Sequence, residues 1–189
     1  MPYFPEKHVL FIHIPKTGGR TLSALLSNND KKLLETGKSG NHLLPFPYSN
    51  QSLQHQFYNT IYKYRDLCGV KFNNNLRVIS IVRNPYTRCM SGLFFNGLIL
   101  KNSTQEEIYD KLKLYLDWNS NSDMFDNHNI PQYKFVTDDD GKLVKDIVIL
   151  RTETLNEDAK KYGFEIKQNI GVADMISGIK RPRAYKEYL

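Results

Sequence analysis

Val9, Leu10, Phe11, Ile12 and Ile14 form an apolar run that stops at Pro15 and gives way to the turn Lys16-Thr17-Gly18-Gly19. Its β-branched and aromatic members read as a short buried strand rather than half of a helix. Gly18 and Gly19 allow a tight turn and a close approach of backbone to ligand. Thr21, Leu22, Leu25 and Leu26 then open a helix with one apolar face. A strand that feeds a helix through a glycine turn presents free amides and the positive end of a helix dipole to an anion. Taken alone, an ordinary strand-turn-helix corner with a surface lysine has the same pattern. The stretch differs from an ATP-binding P-loop, in which the lysine follows the glycines. Here Lys16 precedes them, on the strand side of the turn, where it reaches toward the far end of a bound phosphate chain.

The run Phe11-Ile12-His13-Ile14-Pro15-Lys16-Thr17-Gly18-Gly19 resembles the 5′-phosphosulfate loop of sulfotransferases, in the branch of the carbohydrate and heparan-sulfate 2-O-sulfotransferases with their bacterial and viral relatives. The resemblance implies a donor, 3′-phosphoadenosine 5′-phosphosulfate (PAPS), with 3′,5′-adenosine bisphosphate as product and no metal. It gives Lys16 the catalytic task of assisting the departing phosphate, and Thr17, Gly18, Gly19, Arg20, Thr21 and Leu22 the cradle.

A second strand, Leu76 to Val82, ends at Arg83, where Asn84 is a natural N-cap and Pro85 a natural first helical residue. Strand-to-helix junctions of this kind lie along the carboxyl edge of an open sheet, where such folds bind ligands. The segment Arg83 to Ser91 resembles the family's 3′-phosphate element, an arginine followed eight positions later by a serine. An arginine fork and a hydroxyl suit a phosphate dianion. Arg88 is expected to be a buried structural partner.

Between the two junctions, Lys31 to Asn50 reads as a long loop, a form that more often serves function than connection. The resemblance places a base here that takes the acceptor's proton, and His42 is the candidate, with Glu35 and His55 the nearest substitutes. Imidazole titrates near neutrality and suits the task. Leu53, Phe57, Ile61 and Tyr64 predict one amphipathic helix across residues 51–67, with His55 on its surface. Ser103 and Glu106 predict a capping box before a further helix. His128 and Gln132, in a His-x-x-Pro-Gln run that relatives carry near the acceptor, are candidate substrate contacts. Tyr133 to Val136 and Leu143 to Leu150 predict a hairpin around Asp138-Asp139-Asp140-Gly141, whose carboxylates read as a solvated turn. Thr154 and Glu157 predict another capping box, in a helix that closes at Gly163. Lys180, Arg181 and Arg183 form a basic tail in residues 170–189, and the resemblance to sulfotransferases implies that such a tail covers the nucleotide.

A length of 189 residues, 40% of them hydrophobic, suggests a single domain with a real core. The formal charge of +6 favours anionic partners, but its scatter reads as solvated surface rather than a nucleic-acid site. Cys68 and Cys89 lack metal-ligand or CxxC spacing and read as reduced thiols. No apolar run is long enough to cross a membrane and Met1 to Lys7 lacks a signal-peptide core, so a soluble, cytoplasmic protein is expected. A Golgi-lumenal domain trimmed of its anchor has the same composition.

The expected architecture is therefore α/β: a P-loop-like three-layer fold with a mainly parallel central sheet flanked by helices. The expected activity is transfer of a sulfuryl group to a hydroxyl-bearing acceptor, a glycan. The rivals are a P-loop-type kinase or NTPase, which needs a lysine after the glycines and an acidic magnesium ligand, and a non-catalytic nucleotide-binding protein on the same fold.

Overall fold

A computed structural model of the protein describes residues 3–27, 52–117 and 126–164. Four strands form one sheet in sequence order: β1 (Tyr3–Phe4), β2 (Val9–Ile12), β3 (Arg77–Val82) and β4 (Val148–Arg151). β1 runs antiparallel to β2, while β2, β3 and β4 are parallel. In the parallel register Ile12 faces Ser80 and Val82 faces Arg151, so the strands end together on one edge. The Ser80 hydroxyl donates to the Ile12 carbonyl and ties the two central strands at that edge.

Helices cover both faces, as buried parallel strands require. On one face Val9, Phe11, Ile79, Ile81 and Leu150 pack against Leu22 and Leu26 of α1 (Gly19–Leu26), and against Leu155 and Ala159. The latter pair belongs to the helix Leu155–Lys161 that follows β4. On the other face Leu10, Ile12 and Val78 meet Ile61, Ile130, Phe135 and Val136. The alternation along β2, Val9 and Phe11 one way and Leu10 and Ile12 the other, is the strand period of two that divides these two cores. The mixed α/β, mainly parallel, helix-flanked sheet is the architecture expected from the sequence.

The region 51–67 departs from the expected single helix. Leu53–His55 is a 3-10 turn, Gln56 and Phe57 are extended, and helices α2 (Tyr58–Lys63) and α3 (Arg65–Cys68) follow. The break lets Phe57 set its ring against Phe135 at a tilt of 60°, with centroids 4.9 Å apart. It also takes His55 off the surface and buries it.

The Asn84 side chain accepts from the amides of Tyr86 and Thr87 and caps α4 (Pro85–Phe95), as expected. The next capping box forms one residue later than the Ser103 and Glu106 expected. Thr104 Oγ1 accepts from the Glu107 amide and Glu107 Oε2 from the Thr104 amide, ahead of α5 (Gln105–Asp117). α4 and α5 form a separate small core around Leu93, Ile99 and Tyr115.

The expected hairpin is reduced to its turn. Asp138 and Gly141 close it by a backbone bond and Thr137 bridges Leu143, but Gln132–Phe135 is a 3-10 turn. β4 pairs with β3 instead. The Asp138 carboxylate is used within the turn, on the amides of Asp140 and Lys142. The capping box expected at Thr154 is also absent: its hydroxyl donates to Asp158, which pairs with Arg151. Numbered in chain order, the Leu155–Lys161 helix is α6, and Gly163 at φ 80 follows it.

Candidate active site at the carboxyl edge of the sheet

The loop from β2 to α1 is built by its own short hydrogen bonds. Thr17 Oγ1 donates to the Ile14 carbonyl and is fully buried. Lys16 adopts the left-handed conformation at φ 68, and Gly18 does so at φ 88 as the N-cap of α1. No side chain caps the helix at Gly18, so the first-turn amides of α1 face the loop mouth without a side-chain acceptor at that position. A left-handed lysine costs on the order of 1–3 kcal/mol, a strain that surrounding contacts must hold.

Those contacts come from β3 and its neighbours. Arg83 Nη1 donates to the Lys16 carbonyl at 3.1 Å, and Arg83 Nε to Thr87 Oγ1 at 3.0 Å. Thr87 and Ser91 lie one turn apart on α4, so the guanidinium sits at the head of the helix stripe that carries Ser91. Thr152 Oγ1 lies 2.6 Å from the Thr17 carbonyl and 3.0 Å from that of Val82, linking the first loop to the end of β3. Arg88 is buried, as expected, and its fork reaches the carbonyls of Pro15, Ile130 and His128 at 2.8 to 3.0 Å. One side chain thus holds the loop between β2 and α1 against residues 128–130.

Gly19 has a role that the turn pattern does not reveal. A Cβ there would lie 2.3 Å from His13 Cδ2 and 2.4 Å from His13 Nε2. The glycine makes room for a buried histidine as well as for a tight turn.

His13 begins a column of aromatic rings. It stacks on Phe11 at 5.3 Å and meets His55 edge-on at 5.1 Å. His55 meets His128 at 5.0 Å, and His128 lies 4.9 Å from Phe95. Lys16 Nζ sits 4.0 Å over the Phe95 ring, so the column ends at the loop lysine. Residues from β2, the 52–55 turn, the 126–130 turn and α4 therefore converge beside Lys16.

His55 Nδ1 lies 2.6 Å from Asp126 Oδ2. Ser52 holds the same carboxylate twice, through its hydroxyl to Oδ2 at 2.6 Å and its amide to Oδ1 at 2.7 Å. Burial drives the pKa of His55 down, and the Asp126 carboxylate opposes this without overcoming it. For Asp126 burial pushes upward, but the hydrogen bond and charge of His55 and the Ser52 contacts outweigh it and keep the acid ionised. The pair is thus a neutral imidazole donating Nδ1–H to a carboxylate. Burial pushes His128 down to about 3, with His55 and Lys16 adding to the effect. His13 is also held well below its usual value, by burial first and then by His55. A neutral imidazole flanked by neutral imidazoles is a proton acceptor in a place that disfavours other cations.

The expected site residues fall into three groups. Lys16, Thr17, Gly18, Gly19, Arg20, Thr21, Leu22, Arg83 and Ser91 lie on the first loop, α1, the junction after β3 and α4, at the carboxyl edge. Leu22 is core, so anything it gives a ligand comes from its backbone. Gln132 clasps the main chain of Arg83, donating to its carbonyl at 2.7 Å and accepting from its amide at 2.9 Å, while His128 joins the ring column. His42, Glu35, Lys180, Arg181 and Arg183 lie outside the described residues. His13 and Asp126 were not singled out from sequence. The available signals were a polar residue interrupting an apolar strand at His13 and the acid two residues before His128.

The chain matches the model of the sulfotransferase family over residues 2–188. It belongs to that family, whose members transfer sulfuryl groups. No curated protein and no solved structure matches it.

Proposed function

We propose that the protein transfers a sulfuryl group from PAPS to a hydroxyl of a carbohydrate, with His55 as the base. One observation carries the reading: the Arg83 guanidinium donates to the Lys16 carbonyl, so both phosphate-type elements form one surface beside the His55–Asp126 pair. The carbohydrate acceptor rests on the branch that the Phe11–Gly19 loop resembles. The same reading takes residues 1–189 as one domain of a soluble protein.

The residues fit the nucleotide. When bound, PAPS supplies the activated sulfuryl group and leaves as 3′,5′-adenosine bisphosphate. The amides of Gly18 to Arg20 and Lys16 Nζ would hold its 5′ end, with Arg83 and Ser91 on the 3′-phosphate. Lys180 and Arg181 would cover it. Preorganised positive groups at the loop stabilise the charge that develops there. His55 offers Nε2 to the acceptor hydroxyl, and His128 contributes a second wall beside it. Gln132 acts by clasping Arg83.

Transfer of sulfur-35 from labelled donor to a panel of glycans tests this reading. His55→Ala should lower kcat by roughly 10²- to 10⁴-fold, the usual contribution of a positioned base. His42→Ala should retain activity within a fewfold. The opposite pattern would move the base to His42, and no transfer by folded wild type to any glycan would contradict the reading.

A further inference from the structure

His55 and Asp126 come from turns 71 residues apart in sequence and are joined at three points. The ring bonds the carboxylate, Ser52 bonds both carboxylate oxygens, and the Asn127 side-chain amide donates to the His55 carbonyl at 2.9 Å. Asp126 and Asn127 are both left-handed, at φ 46 and φ 63. Two successive non-glycine residues in that region mark a turn held for the position of its side chains. The clasp fixes the ring of His55 and its backbone at once, and Asn127 is fully buried.

A neutral imidazole has one N–H and one lone pair, and the partner of one nitrogen decides which is which. Because both Asp126 oxygens already accept, the carboxylate holds the proton of His55 on Nδ1 and leaves the lone pair on Nε2. Among the described residues, the groups that face His55 from other elements are His13, just after β2, and His128, besides Asp126 itself. Neither histidine supplies negative charge, so among the described residues Asp126 is the group able to stabilise a cation on the ring.

We propose that Asp126, fixed by Ser52, is a positioning residue that sets the Nδ1–H tautomer of His55 and stabilises the imidazolium formed during transfer. The inference rests on the sulfotransferase reading of the site for its catalytic half; the tautomer half stands on geometry alone. In the step, the acceptor O–H bond would break and its proton go to His55 Nε2, while the freed electron pair forms the new bond from the acceptor oxygen to sulfur and the S–O bond to the donor phosphate breaks, releasing 3′,5′-adenosine bisphosphate. The Nδ1 proton remains on His55 throughout. A carboxylate that never touches the acceptor therefore acts through another side chain.

The experiment combines ring-nitrogen NMR of the full chain, nitrogen-15 labelled at histidine, with kinetics of Asp126→Asn and Ser52→Ala. Wild-type His55 should show the Nδ1–H tautomer, and Asp126→Asn should shift it toward Nε2–H. Asp126→Asn should lower kcat by roughly 10²-fold or more with KM and 3′,5′-adenosine bisphosphate affinity within twofold. Its acid limb of kcat should move to lower pH, because the imidazolium has lost its counter-charge. Ser52→Ala should show the same effects weakened, which keeps the test open if Asp126→Asn does not fold. An Nε2–H tautomer in wild type, or kcat unchanged in a folded Asp126→Asn, would overturn the proposal. His55, Asp126 and His128 each place a ligand atom within 4.8 Å of the others. Stoichiometric binding of zinc that Asp126→Asn abolishes would also overturn it, in favour of a metal site. If wild type transfers no sulfuryl group yet shows the Nδ1–H tautomer lost in Asp126→Asn, the positioning stands and the assigned reaction fails.

Discussion

Two arginines five positions apart divide the labour of the site. Arg88 is buried with its fork on three backbone carbonyls, whereas Arg83 is half-buried at the surface of the edge. Arg88→Ala strands those carbonyls and should cost about 3 kcal/mol of stability, read as a lower urea midpoint. Gly19→Ala drives a methyl group into the His13 ring and should cost roughly 1–3 kcal/mol, the range for overpacking. A stability within about 0.5 kcal/mol of wild type in either variant would show that the contact is not required. The burial of Arg88 was legible from the usual behaviour of paired internal arginines. The His55–Asp126 pair was not, because nothing local in either turn encodes a contact over such a separation. His55 was legible only as a residue type suited to be a base.

At the scale of elements, β2, β3 and the Asn84-Pro85 start of α4 follow from local pattern, since apolar β-branched runs and an N-cap carry their own instructions. The failures are places where tertiary contacts override propensity. Phe57 leaves the helical path to reach Phe135, and the Tyr133–Phe135 segment turns in a 3-10 coil because β4 occupies the strand position beside β3. The capping box shows the finer limit. Ser103 and Thr104 are both competent caps, with a glutamate three residues beyond each, and geometry selects Thr104. Thr104→Ala should therefore cost about 1 kcal/mol, and Ser103→Ala less. Urea denaturation of the two variants checks the order, and the reverse order would contradict the assigned cap.

For the whole molecule, the convergence of three buried neutral histidines links stability to pH. His13, His55 and His128 all have folded pKa values below the ordinary histidine value, so below about pH 6.5 the unfolded chain binds more protons than the folded one. Stability must fall as pH drops through that window. His128 alone, at about 3 when folded, should account for about 2 kcal/mol lost at pH 5. Asp126 works oppositely, stabilising the fold above the ordinary aspartate value, and its contribution is lost only in stronger acid. Urea unfolding near pH 7 and pH 5 should show the decline, and His128→Gln should flatten it.

On the proposed function, the junctions bearing Lys16 and Arg83 together hold an adenosine 3′,5′-bisphosphate. Titration calorimetry of folded protein with that nucleotide measures it directly. A dissociation constant on the order of micromolar is expected, weakened roughly 10- to 100-fold by Arg83→Ala through loss of charge-assisted hydrogen bonds. No heat of binding to the folded wild type, or tighter binding of magnesium-ATP than of the bisphosphate, would contradict it.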